Sequence, residues 1–229
     1  MTCHLLVGDY AYSSWSLRGW LLFEAFGLPV QTSLTLLDTD DFTRDISAFH
    51  PARTVPALRL PEGVVISDSL AIAEELASRH PEAGHWPANP TARAVARGLA
   101  AEMHSSFAAL RRHCPMNLRL SYSDCAPGDD VLADLARIDA LWAWARQITG
   151  STGPWLCGGY SVADAFFAPV AARIAGYNLP ASPAAMDYVA AHLAHEPFLR
   201  WRQWALAEGP DKARYRRDWP QRPWPGPAR

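Results

Sequence analysis

Strand and helix signals alternate over the first 80 residues of this 229-residue chain, and the strand signals stop after a short segment that holds three prolines and one glycine. Such a segment is typical of a linker between two domains. A chain that changes at one point from mixed elements to helices alone cannot form one uniform layered domain. The sequence therefore predicts an α/β domain at 1–80, a linker at 81–90, an all-helical domain at 91–208 and a tail at 209–229.

The N-terminal half has a strand, helix, strand order, followed by a hairpin and a second helix. From Ser14 onward, apolar residues recur every three or four positions, which predicts a helix that ends near Gly27. The predicted elements are strands at 3–7, 30–37, 57–60 and 64–66, and helices that begin at Ser14 and at the Ser67-Asp68-Ser69 cap. This order is compatible with a small mixed sheet that carries helices on its faces.

The C-terminal half shows helical spacing throughout. Residues 91–113 are predicted as one helix, and the apolar residues of 131–145 mark a second with one buried stripe. Ser182-Pro183 and Glu196-Pro197 each place a proline at the start of a further helix. The tail holds five prolines and two glycines with six Lys or Arg against two Asp, so we expect irregular structure there. Its two tryptophans favour packing against the body over contact with nucleic acid.

Composition excludes several classes of protein. A net charge of -2 with 19% charged residues gives no overall field that would favour nucleic acid or an anionic membrane. The four cysteines are widely spaced without a CxxC pair, which argues against a disulfide scaffold or a zinc ribbon. His192 and His195 lie three apart, but no third metal ligand is identifiable, and no metal site is predicted. We expect a cytoplasmic protein without a membrane span or nucleic-acid partner.

The segment Tyr12 to Arg18 carries the chemistry. Three serines, Ser13, Ser14 and Ser16, gather where a strand ends and a helix begins. One of them is explained as an ordinary helix cap. A helix N-terminus with extra hydroxyls also stabilises an anion, including a thiolate. Lowering a thiol pKa by about 2 units takes about 2.7 kcal/mol, and one hydrogen bond to a charged group supplies about 1.5–3 kcal/mol.

Two further signals follow along the chain. Val55-Pro56 stands immediately before a strand, and Ser67-Asp68-Ser69 opens a helix with one acid and two hydroxyls. In this order and spacing, the signals resemble the glutathione S-transferase family, and the Ser-Ser-x-Ser-x-Arg run is similar to its zeta-type and related bacterial branches. The resemblance covers most of the chain. It implies a thioredoxin-like N-terminal domain, an all-helical C-terminal domain and, at Ser161 and Asp164, the family's capping box.

The resemblance implies a glutathione transferase that activates glutathione as a thiolate for attack on a small apolar electrophile, in a detoxification role and as a homodimer. It makes Ser13 the thiolate partner, with Ser14 as the alternative. Pro56 would be cis and would turn the Val55 backbone toward the tripeptide. The implied glutathione-binding residues are Ser13, Trp15, Arg53, Val55, Pro56, Asp68 and Ser69. The implied substrate-pocket residues are Tyr12, Trp15, His104, Phe107 and Arg111.

Two alternatives stay open. The first is a glutathione-dependent cis-trans isomerase of the maleylacetoacetate type. This chain departs from such enzymes at two positions. They usually carry Cys where it has Trp15 and Arg where it has Gly176, and its own arginine, Arg173, lies three residues before that position. The second is a non-catalytic module that binds glutathione or another protein, because a fold alone does not fix a function.

Overall fold

The computed structural model describes residues 2–227, and its first half is built on one four-stranded sheet. The strands are β1 (Cys3–Gly8), β2 (Val30–Thr35), β3 (Ala57–Arg59) and β4 (Val65–Ser67). Their spatial order is β2-β1-β3-β4, with β1 parallel to β2 and antiparallel to β3, and with β3 antiparallel to β4. The predicted mixed sheet is confirmed, and the last four residues of β1 lie fully in the core.

Helices cover this sheet. They are α1 (Ser14–Glu24), α2 (Asp40–Ser47) and α3 (Ser69–Arg79). The starts predicted for α1 and α3 are confirmed. The sequence prediction missed α2, because this helix spans two turns and buries only Ile46. Thr39 caps its start, where the threonine side chain accepts the N–H of Phe42 at 3.3 Å.

The second half is helical. Its helices are α4 (Pro90–Ser105), α5 (Ala108–His113), α6 (Asp129–Thr149), α7 (Val162–Gly176), α8 (Pro183–Ala194) and α9 (Glu196–Ala207). The prediction of one continuous helix over 91–113 was wrong. Phe107 breaks it with a φ of 64°, which ends α4 and starts α5 in a new direction while the phenyl ring stays buried. The helix starts at Ser182-Pro183 and Glu196-Pro197 are confirmed.

Helix α7 is the centre of this half, and all its residues are buried. The predicted capping box is present at its start. Asp164 accepts the backbone N–H of Ser161 at 2.9 Å and that of Leu156 at 3.2 Å, and the hydroxyl of Tyr188 donates to it at 2.8 Å. Because a buried carboxylate is costly without such donors, these bonds fix the start of α7 against α8.

The tail after α9 is irregular apart from a 3₁₀ turn at Ala213–Tyr215, as predicted, and its residues 228 and 229 lie outside the described part. Trp219 and Trp224 pack against the core. The ammonium of Lys212 donates hydrogen bonds to the Asp9 carboxylate at 2.7 Å and to the carbonyl of Leu37 at 2.6 Å. These bonds join the tail to the N-terminal half. Over residues 2–227, no helix is long and apolar enough to cross a membrane.

Candidate active site

A cleft of about 410 Å³ opens in front of the N-terminus of α1. Its lining comes from α1, from the loop before β3, from the start of α3 and from the segment between β2 and α2. The lining residues are Ser13, Trp15, Leu37, Phe42, Thr54, Val55, Pro56, Ser67, Asp68 and Ser69. Three separate stretches that the sequence had singled out therefore meet at one surface.

Ser13 is the cap of α1 and faces this cleft. It is 6% exposed, and its oxygen accepts the backbone N–H of Ser16 at 3.3 Å. Its hydroxyl donates to Oγ of Ser16 at 2.8 Å, and that oxygen also accepts the N–H of Gly8 at 2.9 Å. The first turn of α1 contains no acidic residue, so the positive end of the helix is not neutralised there.

The loop before β3 presents its backbone to the cleft. The Val55-Pro56 peptide bond is cis, as the family resemblance implied. A side chain at Gly19 of α1 would approach the Pro56 ring to 2.7 Å, so glycine is required for this close packing. Within residues 2–227, neither the N–H nor the C=O of Val55 makes a hydrogen bond. An extended peptide in the cleft would find both groups free.

Asp68 and Ser69 form the opposite wall. Asp68 has a φ of 94°, a conformation that L-residues rarely adopt. Its Oδ1 caps α3 by accepting the N–H groups of Leu70 at 2.7 Å and Ala71 at 3.3 Å. Oδ2 lies 3.1 Å from Nε2 of His104 on α4. The Ser69 hydroxyl is buried and has no hydrogen-bond partner in the described chain.

Comparison with known proteins agrees with this geometry. Residues 12–79 match the family model described as glutathione S-transferase, N-terminal domain. That match contains every residue lining the cleft. No curated protein matches the chain significantly.

Solved structures extend the similarity to the whole chain. A glutathione transferase homologue from Burkholderia, with bound glutathione, shares 21% identity and a TM-score of 0.68, over 91% of this chain and 100% of its own. Glutathione transferase Omega 3C from Trametes versicolor shares 20% identity and a TM-score of 0.67, over 94% of this chain and 92% of its own. An unclassified glutathione S-transferase from Bombyx mori shares 18% identity and a TM-score of 0.70, over 90% and 95%. This chain has the glutathione S-transferase fold.

Within this fold, some of the sequence-predicted residues lie away from the cleft lining. Ser14 turns toward the C-terminal domain, where its oxygen accepts from Nη2 of Arg173 at 3.4 Å. Arg53 is exposed beside the cleft. Tyr12 is buried under the tail, stacked on Tyr215 with ring centroids 4.5 Å apart. Phe107 belongs to the core of the C-terminal domain.

His104 and Arg111 lie behind Trp15. The His104 ring meets the Trp15 indole edge-on at 5.1 Å, and the Arg111 guanidinium lies 4.9 Å from the centre of the same indole. Trp15 therefore has one side toward the cleft and another against residues of the C-terminal domain. These two predicted pocket residues contact the cleft through Trp15.

Two residues that line the cleft and one that lies behind Trp15 had not been singled out from the sequence. Phe42 belongs to α2, which had not been predicted, and Leu37, predicted as the last residue of a strand, lies in the turn after β2. Arg18 was quoted only as part of a motif, although it is 1% exposed and lies between Trp15 and Phe166, at 4.8 Å and 4.9 Å from the two rings. It is the one charged residue from Ser13 to Phe23, and this isolation among uncharged residues could have singled it out from the sequence.

Burial and like charge act together on the arginines behind Trp15. Burial lowers the pKa of Arg18 well below its usual range, and Arg111 and Arg173 lower it further. Burial, followed by the charge of Arg111, lowers the pKa of Arg173 to about 10. Burial also lowers the pKa of Arg111. The interior behind Trp15 is therefore electropositive and poorly solvated.

Proposed function

We propose that this protein is a glutathione transferase that binds glutathione in the cleft and holds its sulfur as a thiolate beside Ser13. The observation that carries the proposal is the meeting of Ser13, Val55, Asp68 and Ser69 around one cleft of about 410 Å³. The family match over residues 12–79 supports it. Two of the similar structures, from Burkholderia and Sulfitobacter, hold bound glutathione, which is a property of those proteins that we extend to this one.

The free backbone groups of Val55 suit the cysteinyl part of the tripeptide, which would pair with them as an added strand. The γ-glutamyl end carries an ammonium and a carboxylate. Asp68 is the anion that the ammonium needs, and Ser69, at the N-terminus of α3 with an unpartnered hydroxyl, is the donor that the carboxylate needs. Arg53 is free to reach the glycyl carboxylate.

Ser13 is placed to stabilise the sulfur. Its oxygen continues to accept the N–H of Ser16. Its hydroxyl proton, which is donated to Oγ of Ser16 in the free protein, is donated to the thiolate instead. A hydrogen bond to a charged acceptor contributes about 1.5–3 kcal/mol, and the helix end adds about 0.3–1 kcal/mol. Together they account for a thiol pKa lowered by about 2 units. Ser14 is the alternative partner, and its contact with Arg173 makes it the less suitable of the two.

In the transfer reaction, the glutathione thiol first loses its proton to solvent. The thiolate then attacks an electrophilic carbon, a carbon–sulfur bond forms, and the leaving group departs with the electron pair of its broken bond. The protein lowers the thiol pKa and holds the sulfur near the acceptor, so its contribution is electrostatic stabilisation and proximity. The isomerase alternative would add and release the same sulfur. Trp15 stands where such isomerases usually carry a cysteine.

Calorimetric titration with glutathione tests this proposal. Binding at millimolar or lower concentration is expected, and S-methylglutathione should bind as well because it keeps both tripeptide ends. A panel of aryl halides, enals, peroxides and cis-dienes, assayed with glutathione, then separates transferase from isomerase and peroxidase. Absence of glutathione binding at millimolar concentration would favour the protein-interaction module instead.

A further inference from the structure

Arg18 is a buried cation that has neither an ion pair nor a hydrogen bond within residues 2–227. All three guanidinium nitrogens lack a hydrogen-bond partner in the described residues, and the side chain is 1% exposed. Buried arginines are normally paired with a carboxylate or with several carbonyl oxygens, because an unpaired buried charge is among the most costly groups in a protein. Within residues 2–227, two aromatic rings lie against the Arg18 guanidinium, and the charge of Asp68 acts on it without forming an ion pair. The site is therefore incomplete as it stands.

Two more guanidinium groups are close by. We call Arg18, Arg111 and Arg173 the arginine cluster. Arg111 donates to backbone carbonyls of Ser106, Met103 and His104, and Arg173 donates to those of Cys114 and Pro169. Among the ion pairs of the described chain, none includes a member of the cluster. Asp68 is the acid whose charge stabilises Arg18, and its two oxygens already face the start of α3 and His104.

Trp15 is the partition between the arginine cluster and the cleft. Its indole lines the cleft and lies 4.8 Å from the Arg18 guanidinium and 4.9 Å from that of Arg111. For a molecule in the cleft to reach the edges of both guanidinium groups, this one ring has to move aside. The edges are what matters, since a guanidinium binds a carboxylate through two parallel N–H groups.

We propose that the arginine cluster receives a carboxylate of the second substrate, so that the electrophile which this enzyme conjugates is an organic acid. The inference rests on the proposed function, because it places the acceptor next to the glutathione sulfur at Ser13. A carboxylate supplies the missing charge and the acceptor oxygens that Arg18 lacks. Arg18 and Arg111 bind it from behind Trp15, and Arg173 adds its charge from α7.

A pair of glutathione conjugates tests the inference directly. S-(carboxymethyl)glutathione places a carboxylate one carbon from the sulfur, and S-(carbamoylmethyl)glutathione is its neutral counterpart of nearly the same shape. Calorimetry should show the parent protein binding the carboxylate conjugate at least about tenfold more tightly, as expected for charge-assisted hydrogen bonds. Unmodified glutathione serves as the reference for the tripeptide part of the site.

Variants locate the effect. Arg18→Met and Arg111→Met should each remove most of the preference for the carboxylate conjugate and leave glutathione affinity within about threefold. Arg202→Met is the matched control, because Arg202 also donates to a backbone carbonyl, of Leu118, and lies 4.4 Å from an indole, that of Trp224, but has no part in the cleft. If Arg18→Met fails to fold, the preference of Arg111→Met for the carboxylate conjugate is the test.

The outcomes separate the two proposals. If the parent binds glutathione and both conjugates equally, the arginine cluster is not an acceptor site and this inference is wrong while the proposed function stands. Retention of the preference in both Arg18→Met and Arg111→Met would also overturn it. Failure to bind any of the three ligands would instead refute glutathione binding itself.

Discussion

The carboxylate of Asp68 lies 3.1 Å from Nε2 of His104, so that α3 of the N-terminal domain meets α4 of the C-terminal domain at the wall of the cleft. Asp68 caps α3 and contacts His104. We propose that it also offers its negative charge to the γ-glutamyl ammonium. Because the carboxylate is bound by N–H groups on one oxygen, its direction into the cleft is fixed before glutathione arrives.

Replacing Asp68 with Asn keeps an oxygen that caps α3 and removes the charge. We expect the KM for glutathione to rise by roughly tenfold to a hundredfold with little change in kcat, because the ammonium is bound equally in the ground and transition states. Asp68→Ala should show the same rise and also lose about 1 kcal/mol of stability with the cap. Glu74→Gln, an exposed acid on the same helix, is the control. An unchanged KM in Asp68→Asn would remove Asp68 from the site.

The start of α7 depends on Asp164. Replacing it with Ala leaves the N–H groups of Ser161 and Leu156 and the hydroxyl of Tyr188 without their acceptor in the core. At about 1–3 kcal/mol for each unsatisfied group, a loss of at least about 3 kcal/mol in the free energy of unfolding is expected. Ser161→Ala should cost only about 1 kcal/mol. Urea denaturation of the two variants measures the difference, and equal effects would contradict this view of the capping box.

Acid should weaken the fold through two histidines of the C-terminal domain. Burial, followed by the charge of His195, lowers the pKa of His192 to about 3, and burial lowers that of His195 to about 4. In the unfolded chain both titrate near about 6.5. Below that pH the unfolded chain binds protons that the folded one excludes, so stability falls from about pH 6.5 toward pH 4, by about 1.4 kcal/mol per pH unit for each group.

His192→Phe tests that slope. The phenyl ring suits the aromatic surroundings of Trp155 and Tyr188 and removes two nitrogens that have no partner in the described residues. Unfolding in urea at pH 7 and pH 5 should show a smaller loss of stability on acidification than the parent shows. His50→Gln changes an exposed histidine and should behave as the parent does. A parent whose stability is the same at both pH values would contradict the argument.

We propose a homodimer, as the sequence resemblance implied, with one subunit's N-terminal domain against its partner's helical domain. A two-fold interface is the commonest closed assembly. Light scattering on a sizing column at micromolar concentration should give twice the chain mass of 25.2 kDa. A mass of one chain under those conditions would exclude the dimer.

The larger elements could be predicted because their apolar periodicity and their caps agree. The start of α1 at Ser14, the box at Ser161 and Asp164 and the proline at Pro183 are each marked by residues next to one another in the chain. The break at Phe107 could not be predicted in this way. A non-glycine residue with a φ of 64° is held there by tertiary packing of its ring, which no local pattern records.

The candidate site also combines residues that short segments predict with residues that only the tertiary structure reveals. Ser13, Val55 and Asp68 were predicted from short segments, and they lie on one cleft because the sheet brings those segments together. Tyr12 was also predicted for the pocket, but the tail lies over it, and a tail rich in proline gives no sequence signal of where it packs. The cation at Arg18 became apparent only when its partners could be counted in three dimensions.

The central claim is that the Ser13 hydroxyl holds the glutathione thiolate. Its most direct test is the ultraviolet absorbance of the bound thiolate against pH, for the parent, Ser13→Ala and Ser14→Ala. Ser182→Ala, which removes the cap of α8 away from the cleft, controls for the loss of a helix cap. We predict that Ser13→Ala raises the pKa of the bound thiol by about 1 to 2 pH units, while the other two variants titrate as the parent does. If the thiol pKa rises in Ser14→Ala and not in Ser13→Ala, then Ser14 and not Ser13 holds the thiolate. If it rises in neither variant, the serine mechanism is contradicted.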